Sequence, residues 1–246
     1  MTETLIIVAA IAVGAFVKGV TGSGLPQIAI PVMASFLGVE RSVVIMAIPG
    51  VVSNLWLIWT FRHAFGGSRD LPVLLTVGIG GVVLGTWLLQ ALDPRILALT
   101  LAVLVVVYVV LFLSPVEVSL SPRVTRWTAP PVGLAAGALQ GATGISGPLV
   151  QSYLHAYRFD KQVYVVSIVT IYGVFSVVQT LSVAGLGLYT SGRLMESALA
   201  LVPMAIMLPF GARVSRHISQ RVFDYSVLAL LIASAAKLVY DAAVGV

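Results

Sequence analysis

The sequence predicts an all-α, polytopic integral membrane protein, and three observations carry that prediction. Of 246 residues, 59% are hydrophobic and only 9% charged, whereas a soluble domain covers itself with about a quarter charged residues. Mean hydropathy is +1.05. Runs such as "PVLLTVGIGGVVLGTWLLQAL" and "ILALTLAVLVVVYVVLFL" approach the roughly 20 residues with which a helix crosses a bilayer.

In chain order, the expected membrane segments are 5–21, 27–37, 42–61, 71–91, 96–113, 131–142, 148–157, 162–184, 194–212 and 222–240. The first lacks the basic n-region and small-residue cleavage site of a secretory signal, so it reads as a retained membrane segment. All nine acidic residues (Glu3, Glu40, Asp70, Asp93, Glu117, Asp160, Glu196, Asp224, Asp241) fall in connections or at segment ends. A net charge of +5 in a soluble protein would point to nucleic acid. Here basic loops serve orientation in the bilayer, and no nucleic-acid partner is expected. The chain has no cysteine, which removes disulfides, thiolate chemistry and cysteine metal sites. His63, His155 and His217 have no acidic partner at ligand spacing, so neither metal nor cofactor is expected. A membrane enzyme would need a nucleophile–base pair or metal cluster at membrane depth, and the chain offers only scattered histidines and peripheral carboxylates.

The longest polar connection, "SPVEVSLSPRVTRWTAP" at 114–130, divides a first half, 1–113, from a second, 131–246. The halves resemble each other. "KGVTGSGLPQ" at 18–27 aligns with "QGATGISGPL" at 140–149 at a constant offset of 122, matching Gly19 to Gly141, Thr21 to Thr143, Gly22 to Gly144 and Pro26 to Pro148. Further on, Arg69 falls near Arg193, Gly85 near Gly211 and Arg95 near Arg221. Paired interrupted segments in two repeats are the sequence pointer to a transporter binding site.

Basic residues discriminate between parallel and inverted repeats. If 5–37 formed one broken span, the loops would split 7 to 6 between the two sides. If 5–21 and 27–37 form a re-entrant hairpin, and 131–142 and 148–157 another, one side holds Arg62, Arg69, Arg123, Arg126, Arg158, Lys161, Arg213, Arg216 and Arg221. The other side then holds Arg41, Arg95, Arg193 and Lys237. Nine against four is what the positive-inside rule expects. The prediction is two inverted repeats, each with an interrupted helix pair and about three full spans. Two short full spans in place of each hairpin give the same parity.

Unpaired backbone is not tolerated against lipid, so each break must be buried or line a polar cavity. Gly22, Gly24, Gly144 and Gly147 permit the turn, and Pro26 and Pro148 suit the first turn of the helix that follows. Each new helix start presents free N–H groups and about half a positive charge, which together make an anion site. Ser23, Thr21, Thr143 and Ser146 add hydroxyls, and Lys18 adds a full charge whose burial marks a functional site. Gln27, Gln140 and Gln151 flank the breaks with amide donors. Asn54 and Gln179 lie deep in spans and either face the same cavity or bond between helices. Trp56, Trp59 and Trp87 sit toward span ends, as interfacial belts do.

Two glycine-rich breaks, one near the start and one opening the second half of a strongly apolar chain, resemble the TauE/SafE sulfite exporter family, also described as 4-toluene sulfonate uptake permease-like. The resemblance covers nearly the whole chain. It rests on Gly19, Thr21, Gly22, Gly24 and Pro26 in the first motif, and on Gly141, Thr143, Gly144, Gly147 and Pro148 in the second. "TGSGLP" departs from the family in lacking the double glycine often seen before the proline-containing turn. The resemblance implies a multi-pass permease of the bacterial inner membrane for sulfite, organosulfonates such as sulfoacetate, or related sulfur-containing anions.

The expectation is a secondary transporter, an exporter working by alternating access, with the anion held between paired helix starts near the midplane. Its partners are that small anion and the lipid bilayer, and a homodimer is compatible with the sequence. The alternatives are an anion channel built on the same site, or a permease for another small organic anion.

Overall fold

The computed structural model describes residues 2–61, 70–113, 121–157, 159, 161–214 and 220–244. Arg62, His63, Arg69, Glu117, Arg158, Asp160, Arg216 and His217, named above, lie outside these. The described residues form ten helices and no strand. They are α1 (Thr2–Thr21), α2 (Leu25–Leu37), α3 (Val39–Phe61), α4 (Leu71–Ala91), α5 (Pro94–Leu113), α6 (Pro122–Thr143), α7 (Gly147–His155), α8 (Lys161–Gly185), α9 (Ser191–Val214) and α10 (Gln220–Val244). Seven of them, α1, α3, α4, α5, α8, α9 and α10, are long and apolar enough to cross a membrane. The protein is a multi-pass, all-helical membrane protein.

Local chemistry sets the boundaries. Pro94 opens α5, where the first turn requires no amide donor, and Asp93 Oδ1 accepts the Arg95 N–H at 2.8 Å just inside it. The second break differs from expectation in its first limb. Segment 131–142 was expected to begin after the polar connection, but α6 already starts at Pro122 and runs through Pro130 and Pro131. Residues 122–130 of the supposed connection are therefore helical. Two consecutive prolines normally end a helix, yet α6 runs on through them and packs closely along α4 beyond them.

That packing relies on glycine. A Cβ on Gly141 would lie 2.3 Å from the Val82 carbonyl oxygen of α4. In the same way, a Cβ on Gly19 of α1 would lie 2.2 Å from the Leu208 carbonyl oxygen of α9. Helix backbones in membranes gain van der Waals contact through such small-residue seams. Gly19 and Gly141 thus dock α1 onto α9 and α6 onto α4. Trp59, Trp127, Leu181 and Ile206 point outward, where an apolar surface meets lipid.

Ion pairs tie together one end of the bundle. Arg41, at the start of α3, bridges Glu3 of α1 at 2.9 Å and Glu196 of α9 at 2.5 Å. Arg193 of α9 pairs with Glu40 of α3 at 2.8 Å. The chain leaving α2 therefore comes back to the end from which α1 starts. At a second end, the Tyr157 hydroxyl beyond α7 donates to Asp70 Oδ2 before α4 at 3.0 Å. Tyr153 of α7 donates to the Thr125 carbonyl of α6 at 3.1 Å.

Candidate functional site

Two breaks in the chain fold alike. Gly22 N–H closes α1 onto the Lys18 carbonyl at 2.7 Å, and Gly144 N–H closes α6 onto the Gln140 carbonyl at 2.8 Å. Gly24 (φ 106°) and Gly144 (φ 70°) hold left-handed backbone that a side chain disfavours. Thr21 Oγ1 bonds the Val17 carbonyl at 3.0 Å and accepts the Ser23 N–H at 3.3 Å. Thr143 repeats this with the Leu139 carbonyl at 2.7 Å and the Ile145 N–H at 3.3 Å. Both threonines hold the turns together, and neither lines the cavity described next.

Beyond the turns, α2 and α7 each begin with proline in the first turn and no side-chain cap. Their first N–H groups have no acceptor within their own helix. The two starts face one cavity. The first break contributes Lys18, Ser23, Gly24, Pro26 and Gln27, and the second contributes Gln140, Gly144, Ile145, Ser146 and Gly147. Asn54 of α3, with Tyr172 and Ser176 of α8, closes the wall. The cavity offers only about 20 Å³ to the centre of a water molecule, enough for one or two waters. Helix rise sets its depth. The 13 residues of α2 span about 20 Å from the ion-paired end, and the nine of α7 about 14 Å from the other.

Lys18 is 2% exposed. Its Nζ donates to Ser53 Oγ at 2.9 Å and to Asn54 Oδ1 at 2.5 Å. Both partners are neutral, and among the described residues no carboxylate lines the cavity, so a charge on Lys18 has no counter-charge there. Asn54 passes the contact on, its Nδ2 donating to Ser176 Oγ at 3.1 Å. Gln140, which aligns with Lys18 in the two glycine-rich stretches, is bound into a neutral cluster. Its Nε2 donates to Gln179 Oε1 at 3.0 Å, and its Oε1 accepts from Ser146 Oγ at 2.8 Å.

The remaining expected residues fall around this centre. Gln151 stands behind the wall, donating to Ser23 Oγ at 3.3 Å and to the Tyr172 hydroxyl at 3.2 Å. Gln179 lines a smaller adjoining pocket with Gln140, Gly144 and Ser176. Gly19 lies in the α1–α9 seam instead of the cavity, and Gly22 has open space where a side chain would go. Pro148 is buried in the first turn of α7. Ser53, Tyr172 and Ser176 were not anticipated. The repeat offset could have found Ser176, since Asn54 plus 122 is 176.

No curated protein and no solved structure matches this chain. One family model does, "Sulfite exporter TauE/SafE", over residues 6–238. With almost the whole chain matched and seven helices able to span a bilayer, the protein belongs to the TauE/SafE sulfite exporter family of membrane transporters for sulfite-type anions.

Proposed function

We propose that the protein exports a small sulfur-containing oxyanion, sulfite or an organosulfonate, from bacterial cells by alternating access, with the anion held between the starts of α2 and α7. One observation carries this reading: the Lys18 ammonium is buried beside two uncapped helix starts without a carboxylate to neutralise it. A buried charge left unpaired is costly, and a bound anion supplies the missing counter-charge. The helix starts solvate that anion with N–H groups.

In this reading the halves are inverted repeats, and α1–α2 and α6–α7 are re-entrant pairs entering from opposite sides. The ion pairs of Glu3 and Arg41 at one end, and the Tyr157–Asp70 bond at the other, support that arrangement. The end richer in arginine and lysine is then cytoplasmic, and the site lies nearer to it than to the other face. A monoanion leaving a negative interior gains about 2.3 kcal/mol per 100 mV, so a uniporter can work without a coupling ion.

The cavity is too small to admit a sulfonate as it stands, which favours a carrier whose walls must part over an open pore. Counterflow in proteoliposomes tests this. Unlabelled sulfite inside should accelerate entry of labelled sulfite. Ohmic conductance without such trans-stimulation would make the protein a channel.

A further inference from the structure

We infer that the site takes its oxyanion as the protonated monoanion, with Gln27 Oε1 accepting the hydrogen bond of the ligand's own hydroxyl. The inference rests on the anion-site reading above and deepens it. Gln27 is 6% exposed, lines the cavity, and has a buried Oε1 with no partner among the described residues. Its amide is pressed against the start of α7, where a Cβ on Gly147 would fall 1.4 Å from Nε2, so the side chain has little room to turn elsewhere. The other amide oxygens nearby are satisfied: Gln140 Oε1 by Ser146, Gln179 Oε1 by Gln140 and Asn54 Oδ1 by Lys18. A buried acceptor without a donor is unfavourable, and a second lone pair pushed against it makes matters worse. A ligand that carries a proton on oxygen, or a comparable donor, answers both Lys18 and Gln27.

Charge points the same way. Lys18 is the one formally charged side chain lining the cavity among the described residues. A monoanion neutralises it, whereas the second charge of a dianion would rest on the partial charges of the two helix starts alone. The ligand class is therefore a monoanionic oxyanion bearing a hydrogen-bond donor, of which hydrogensulfite is the simplest member. Sulfite ionises near neutrality, so its bound fraction should follow its own protonation. Export in this form would carry one proton outward with each anion.

Calorimetric titration of the full chain in detergent, between about pH 6 and pH 8, tests the inference with sulfite, methanesulfonate and sulfate as probes. Lys18 and Tyr172 are the titratable groups facing the cavity from α1 and α8, and α2, α3, α6 and α7 contribute none among the described residues. Methanesulfonate, a fixed monoanion, reports any titration of those two. Relative to methanesulfonate, sulfite affinity should fall about tenfold per pH unit above the ligand's ionisation, and sulfate should bind more weakly than methanesulfonate. In Gln27→Met the sulfite-to-methanesulfonate affinity ratio at low pH should drop about five- to tenfold. A ratio that is level or rising with pH, tighter binding of sulfate, or an unchanged ratio in Gln27→Met would each overturn the inference while leaving an anion site in place. If Gln27→Met does not fold, the wild-type pH profile decides. Failure of all three anions to bind would overturn the anion site as well.

Discussion

Asn54 and Ser176 are hydrogen-bonded at 3.1 Å across α3 and α8, and they stand 122 positions apart, the same offset that aligns the two glycine-rich breaks. In the proposed inverted repeat, equivalent residues meet where the relating axis passes, and this bond would fall at that centre. Lys18 reaches the same Asn54 from the first break. In that arrangement the Lys18 side chain sits at the proposed two-fold.

Removing either end of that relay should have unequal effects on stability. Ser176→Ala strips one acceptor from a neutral amide and should cost about 1 kcal/mol. Asn54→Leu takes a partner from a buried ammonium and should cost about 3 kcal/mol or more. Thermal unfolding in detergent measures the difference. Equal losses would mean that Asn54 does not support Lys18.

Gly147 and Gln27 should behave as a coupled pair. In Gly147→Ala the new Cβ would occupy the position of the Gln27 amide, whose Nε2 lies 1.4 Å away, so the amide must be displaced. The single variant should lose stability, and Gln27→Ala in the same background should restore it, with a coupling of about 1–2 kcal/mol. Additive effects in a double-mutant cycle would place the two residues in separate environments.

The ion-paired end offers a topological test. Glu3 and Glu196 share Arg41, whereas Ser121 opens the helix whose Thr125 carbonyl holds Tyr153. Because the chain has no cysteine, single substitutions can be labelled without background. A membrane-impermeant thiol reagent should reach Glu3→Cys and Glu196→Cys from one side and Ser121→Cys from the other. Labelling of all three from one side would contradict the re-entrant arrangement. Arg41→Gln should change stability by no more than about 1 kcal/mol, since partly exposed ion pairs contribute little.

Much of this architecture was legible because lipid imposes strong rules. Glycine, proline and lysine inside an apolar run have few physical explanations, so the breaks at 18–27 and 140–149 could be read and matched. The apolar periods of α3, α4, α5, α8, α9 and α10 were equally visible as hydrophobic runs. Less legible was which polar groups the breaks use for themselves. Thr21 and Thr143 resemble ligand donors in sequence, yet they bond their own turns, a local choice that composition does not encode. Gly19 looks like part of the motif, but its work is the close approach to α9. Tyr172 and Ser176 reach the cavity from α8, and Ser53 meets the Lys18 Nζ from α3, placements that tertiary packing decides. The start of α6 was obscured by Pro130 and Pro131, residues that usually mark a helix end.

If Lys18 supplies the charge that holds the anion, sulfite efflux from proteoliposomes should differ between wild type and Lys18→Met or Lys18→Ala. Methionine keeps the length of the side chain and removes an unneutralised buried charge, so Lys18→Met should fold at least as well as wild type. Its sulfite affinity should nevertheless fall more than about tenfold, as expected when a buried charge-assisted contact is lost. Unchanged affinity and rate in both variants, at equal protein incorporation, would remove Lys18 from the site.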